Sequence, residues 1–190
     1  MSTKNEVDTK ILNPDHPIKM TSPDGYVYGA VTIEEGQGWN VTNKGAATTI
    51  TGSQFDDSIY GGARSDTLEG GEGDDLLSGG KGADSLTGGG GSDIFRLSGE
   101  NKTDRITDFL SGDDHIQLDH LIFKKLVKGE LSEDQFVVGP KALTKTQRVV
   151  YDDQEGALYY DADGSGRGAA ILIGVLENNA YLAVEDLTVI

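Results

Sequence analysis

Between residues 52 and 96 the chain repeats one nine-residue pattern of glycine, polar and apolar positions. The units are GSQFDDSIY (52–60), GGARSDTLE (61–69), GGEGDDLLS (70–78), GGKGADSLT (79–87) and GGGGSDIFR (88–96). Each has Gly first, Asp sixth and a large apolar residue eighth, giving the apolar series Ile59, Leu68, Leu77, Leu86 and Phe95. One apolar residue between two others that need not be apolar fits a three-residue strand with a single inward side chain. Of the 27 glycines in the chain, 13 lie between Gly52 and Gly91, a density that excludes a helix and an ordinary strand run. A flexible glycine-rich linker has no reason to hold Asp and a large apolar residue at a constant spacing, so the segment is structured.

Outside the repeats the pattern predicts short strands. Residues 26–33 (YVYGAVTI) alternate, and 39–50 (WNVTNKGAATTI) read as one or two strands rich in Thr and Val. After the repeats, 101–109 and 115–119 are further short strands. Residues 148–161 hold two strands split by a turn at 154–156, and a second turn at 164–166 leads into 169–177, which makes a meander. The only segment with helical spacing is 121–131 (LIFKKLVKGEL), interrupted by Gly129. The expected organisation is a loosely ordered lead-in (1–23), N-terminal strands capping the repeats (24–51), the repeats themselves (52–98) and a C-terminal capping β-region (99–190).

Charge then narrows the function. Asp and Glu outnumber Lys and Arg 32 to 16, for a formal net charge of −16. Nucleic acid and anionic membrane surfaces need a cationic face, so neither is an expected partner, whereas cations are attracted. The chain has no cysteine, so a structural staple must come from something other than a disulfide, and a bound metal is the usual substitute. No stretch is long and apolar enough to span a membrane, and the polar first 20 residues do not resemble a cleavable secretory signal.

Two nonapeptides make one coil of about 18 residues. Asp57, Asp75 and Asp93 then stack along one edge, and Asp66 and Asp84 along the other. Carboxylates one strand spacing apart, ~4.8 Å, repel by roughly 1 kcal/mol in water and more in a drier groove. Calcium resolves this, because it takes about 6–8 oxygens at about 2.3–2.6 Å. Carboxylates from two turns, with carbonyls of the turn glycines Gly61, Gly62, Gly70, Gly71, Gly73, Gly79, Gly80, Gly82, Gly88, Gly89 and Gly91, supply that number. Zinc prefers nitrogen and sulfur, and magnesium keeps its water shell. The three units from Gly70 onward match the pattern fully, while Arg64, Ser53 and Phe55 replace glycines in the first two. The Asp75/Asp93 site is therefore expected to be strongest, Asp66/Asp84 intermediate and Asp57/Asp75 weakest. Asp104, twenty residues past Asp84, is the expected capping ligand of the second edge.

These nonapeptides resemble the hemolysin-type calcium-binding repeat of RTX proteins. The stretches GGGGSDIFRL, DRITDF and SGDDHIQLD resemble the close of the roll in the C-terminal domain of serralysin-type metalloproteases. The stretch YDDQEGALYYDADGSGRGAAILIGVLE resembles the terminal β-meander of many RTX proteins exported by type I secretion. The resemblance covers roughly residues 46–190 and implies an all-β chain. Its fold would be a right-handed parallel β-roll flanked by short antiparallel strands, with at most one or two short helices. It further implies a secreted, non-enzymatic, monomeric module that binds several calcium ions and folds on meeting them outside the cell. An uncleaved signal at 185–190 (EDLTVI) would engage the type I secretion machinery.

Two other functions remain open on sequence: the non-catalytic C-terminal module of a larger secreted enzyme, and a component of an adhesin or surface matrix. Residues 161–166 (DADGSG) open like an EF-hand loop, but position twelve is Leu172, so a hairpin turn is the better reading. No HExxH or GxSxG occurs, and His115 and His120 read as surface or edge residues. Asp113 and Asp114 read as a turn or an added ion ligand rather than a catalytic pair.

Overall fold

The computed structural model describes residues 19–21, 29–33, 38–43, 47–98 and 102–190. The expected lead-in up to residue 18 and the start of the strand expected at 26–33 lie outside the described residues. The N-terminal strands are β1 (Lys19–Thr21), β2 (Gly29–Ile33), β3 (Trp39–Asn43) and β4 (Thr49–Thr51). The repeats supply β5 (Ser58–Tyr60), β6 (Thr67–Glu72), β7 (Leu76–Ser78), β8 (Ser85–Gly90) and β9 (Ile94–Leu97). Beyond them come β10 (Asp104–Ile106), β11 (His115–Leu118), β12 (Gly129–Glu130), β13 (Phe136–Val138) and β14 (Val149–Asp152), followed by β15 (Ala157–Tyr160), β16 (Ile171–Leu176) and β17 (Leu187–Val189).

Alternate strands fall into two facing sheets. One runs β1-β4-β6-β8-β10-β16-β15-β14-β13 and the other β12-β17-β11-β9-β7-β5-β3-β2. Within the roll all pairings are parallel, and the register advances by one coil, so that Ile59 lies opposite Leu77 and Leu68 opposite Leu86. Each coil is two short strands and two tight turns, because one inward side chain per strand is all the narrow interior accepts. That interior is a single file per sheet. Val41, Ile50, Ile59, Leu68, Leu77, Leu86 and Phe95 are all fully buried, a spacing of nine that already begins at Val41. Each such side chain contributes roughly 1.5–3 kcal/mol by leaving water.

The coil continues past the last glycine-rich unit. Ile106 sits opposite Leu86 and Ile116 opposite Phe95, so β10 and β11 form a further coil without the repeat motif. The last coil is closed by strands distant in sequence, with Leu176 opposite Ile106 and Leu187 opposite Ile116. β14, β15 and β16 form the expected antiparallel meander, while β13 joins it parallel to β14. Phe95 and Phe109 pack with ring centroids 6.2 Å apart under this closure, and Phe123 meets Tyr160 edge-on at 5.1 Å.

The helix expected at 121–131 does not form. Among the described residues, helix appears only as short 3₁₀ segments at Glu133–Gln135 and Val184–Asp186. Residues 119–128 make successive turns that bring Phe123 and Leu126 into the core and leave Leu121 and Val127 exposed. The Lys125 N–H, which a helix would donate to the carbonyl of Leu121, is instead donated to the Tyr160 hydroxyl at 3.0 Å. Gly129 then adopts φ of 119° and starts β12 against β17.

Candidate metal sites along the two edges of the roll

The turns at 52–57, 70–75 and 88–93 lie on one edge of the roll, here the first edge, and those at 61–66 and 79–84 on the second. Each repeat Asp ends its turn and is buried, with Asp57, Asp66, Asp75, Asp84 and Asp93 between 1% and 3% exposed. The carboxylates form two ladders of the expected composition. On the first edge the Asp57 N–H donates to Asp75 Oδ1 at 2.7 Å and the Asp75 N–H to Asp93 Oδ1 at 2.9 Å. On the second, the Asp66 N–H donates to Asp84 Oδ1 at 2.7 Å. Asp104 joins at the expected place, its Oδ1 accepting the Asp84 N–H at 3.1 Å. One oxygen of Asp75, Asp84, Asp93 and Asp104 thus binds the preceding coil.

The second oxygens are the chemically informative ones. Oδ2 of Asp66, Asp75 and Asp84 is buried without any hydrogen-bond partner. An unsatisfied buried carboxylate oxygen is costly, and the usual compensation is a donor or a cation. The first glycine of each unit makes room for that oxygen: a Cβ at Gly70, Gly79 or Gly88 would overlap Oδ2 of Asp75, Asp84 or Asp93. It would also fall against the carbonyl oxygen of the next coil, as at Gly70 beside the Gly88 oxygen. Carboxylate oxygens and stacked carbonyls therefore converge where only glycine fits.

Burial dominates the electrostatics. It pushes Asp66 up to about 7, Asp75 to about 8 and Asp93 to about 6, against an ordinary value of 3.8. Backbone N–H donors counter this in part, and the neighbouring carboxylates raise the values again. Asp104 is pushed up to about 7 by burial, with Asp84 adding to the rise, and Asp84 itself is raised by burial. A groove that resists negative charge this strongly is matched to a divalent cation. Among the described residues no three His, Cys, Asp or Glu side chains converge on one point, so a site must combine carboxylates of two coils with turn carbonyls. That donor set is all oxygen and suits calcium.

Further polar residues line these edges, and two of them, Asp108 and Asp114, escape the nine-residue spacing. Asp114 continues the first ladder 21 residues past Asp93, its Oδ1 accepting the Asp93 N–H at 2.9 Å. Asp108 accepts from the Gly88 and Gly89 N–H groups at 3.0 and 2.9 Å. At the top of the second edge Thr48 takes the Asp position, and its N–H donates to Asp66 Oδ1 at 2.7 Å. The Asn43 amide donates to the Thr48 hydroxyl at 3.0 Å. An outer acidic file flanks the first edge, where the Asp74 N–H donates to Asp56 Oδ1 and the Ser92 N–H to Asp74 Oδ1. His115 is half-buried in β11, and the His120 ring nitrogen Nδ1 meets the Ile190 carbonyl at 2.7 Å. The 161–166 segment is a turn in which Asp161 accepts from the Asp163 N–H at 3.2 Å.

A parallel β-roll with a carboxylate ladder on each edge defines a protein of stacked calcium-binding repeats. The model of the RTX calcium-binding nonapeptide repeat matches four copies, over residues 45–63 and 60–95. Residues 45–95 are thus RTX repeats of the calcium-binding kind, wound here as a β-roll. No curated protein matches the chain. Among solved structures, the solution structure of the AlgE6R3 subunit from the Azotobacter vinelandii mannuronan C5-epimerase matches at 27% identity. The match covers 74% of this chain and 76% of that one, with a TM-score of 0.46. Among the described residues no helix is long and apolar enough to cross a membrane.

Proposed function

We propose that the chain holds calcium ions between successive turns on both edges and that this binding drives closure of the roll. The observation that carries the reading is the set of buried, partnerless Oδ2 oxygens of Asp66, Asp75 and Asp84. Asp57, Asp66, Asp75, Asp84, Asp93 and Asp104 supply the carboxylates, and carbonyls of the turn glycines supply the rest. Without a cation, closing the roll buries like charges against one another. With one, the same carboxylates become ligands.

Extracellular calcium modules bind with dissociation constants of about 10⁻⁴–10⁻³ M. A site at ten times its constant adds roughly 1.4 kcal/mol, and three sites about 4 kcal/mol, comparable to the stability of a small domain. Low calcium inside a bacterium leaves the roll open for export, and high calcium outside closes it. We place the chain outside the cell as a monomeric, non-catalytic module exported by type I secretion through its C-terminal end. Circular dichroism in chelator and then in millimolar calcium tests the folding claim. Full β-structure in chelator at neutral pH overturns it. Loss of export on deleting 185–190 tests the secretion claim.

A further inference from the structure

The first edge does not end where its repeats end, and its last turn is built differently from the others. Eight residues, 107–114, separate β10 from β11, where six, 52–57, separate β4 from β5. The extra length folds backbone donors inward. Asp114 is 4% exposed, and both of its oxygens are taken: Oδ1 accepts from the Asp93 N–H at 2.9 Å and Oδ2 from the Leu110 N–H at 2.8 Å. Both oxygens of Asp108 are also taken, by Gly88 and Gly89 N–H at 3.0 and 2.9 Å. The same turn is held from below by Asp186. Its Oδ1 accepts from Gly112 N–H at 3.1 Å, and its Oδ2 accepts from the Ser111 hydroxyl at 2.6 Å and Ala183 N–H at 2.9 Å.

The contrast with Asp66, Asp75 and Asp84 is of kind. There, one oxygen of each carboxylate is buried with no donor. Here, backbone N–H donors bind both oxygens of Asp108 and of Asp114, and charge-assisted bonds of this type offset part of the cost of burying a carboxylate without a cation.

We infer that the turn 107–114 is an ion-free clasp, in which Asp108 and Asp114 hold the end of the first edge through protein donors alone. The calcium ladder of that edge therefore stops at Asp93. This rests on the calcium reading above and adds to it a boundary: the last coil joins the C-terminal strand β17 to the roll by a device that calcium does not occupy.

Native mass spectrometry of the full chain in saturating calcium tests the inference by ion count. Asp114→Asn and Asp108→Asn are expected to keep the wild-type count, while Asp75→Asn loses at least one ion. Loss of an ion in either clasp variant, with the wild-type count intact, overturns the clasp and leaves the calcium reading standing. If Asp114→Asn fails to fold, Asp108→Asn on the half-buried surface of the turn carries the test alone. A wild type that binds no calcium sinks the underlying reading and the clasp with it.

Discussion

Asp75 holds Asp57 with one oxygen and leaves the other unsatisfied: the Asp57 N–H donates to Asp75 Oδ1 at 2.7 Å, and Asp75 Oδ2 is buried with no partner. One carboxylate thus links two coils and still presents a ligand oxygen. Asparagine at position 75 keeps the bond to Asp57 but replaces the ligand charge. Asp75→Asn is expected to raise the calcium concentration at half-folding by about tenfold or more, roughly 1.4 kcal/mol at one site. Asp57 Oδ2 already accepts the Ser53 N–H at 2.6 Å, so Asp57→Asn should shift the midpoint less. Calcium titration followed by circular dichroism compares the two, and equal shifts would contradict the ranking of the sites.

Two glycines separate space from backbone conformation. A Cβ at Gly70 collides with Asp75 Oδ2 and the Gly88 carbonyl, whereas a Cβ at Gly112 meets nothing within 4 Å. Gly112 has φ of 88°, so alanine there costs about 1–2 kcal/mol of strain and no more. Gly70→Ala is expected to abolish calcium-induced folding of the neighbouring coils, and Gly112→Ala only to lower the thermal midpoint by a few degrees. A calcium response in Gly70→Ala equal to that of the wild type would show that this crowding is not what glycine is for.

Arg64 occupies a turn position where the three following units have Gly73, Gly82 and Gly91, and it adopts φ of 82°. A left-handed arginine is disfavoured by about 1–2 kcal/mol, against which glycine loses about 0.4–1 kcal/mol through its freer unfolded chain. Arg64→Gly should therefore stabilise the calcium-loaded protein by up to about 1 kcal/mol. Chemical denaturation in saturating calcium measures this, and a lower midpoint for the variant would contradict it.

These residues also mark what was legible from sequence. Asp57, Asp66, Asp75, Asp84 and Asp93, and the buried file from Ile59 to Phe95, follow from a period of nine, because stacking turns equal spacing in sequence into alignment in space. Asp104 was reachable by counting one coil plus two residues. Asp108 and Asp114 were not placed on the ladder, because the longer turn before β11 breaks the count. Asp186 arrives from the far end of the chain, so no local pattern could place it beside Ser111 and Gly112. The false helix at 121–131 has the same cause, since its apolar spacing is helical but the decisive partner, Tyr160, lies outside the segment.

The carboxylate ladders also predict opposite pH responses with and without calcium. Burial sets Asp93 at about 6, Asp66 at about 7 and Asp75 at about 8, above the 3.8 of an unfolded chain. In chelator, the closed roll therefore binds protons that the open chain releases. The stabilisation is fully present below about pH 4 and is lost as pH rises through the range 6 to 8. Acid should thus close the calcium-free roll, and neutral pH should open it. With calcium the ligands must be deprotonated, so acid weakens binding and the dependence reverses. Circular dichroism in chelator at pH 5 and pH 8, repeated in millimolar calcium, gives the comparison. A calcium-free chain more structured at pH 8 than at pH 5 would mean that the repeat aspartates are not buried together when the metal is gone.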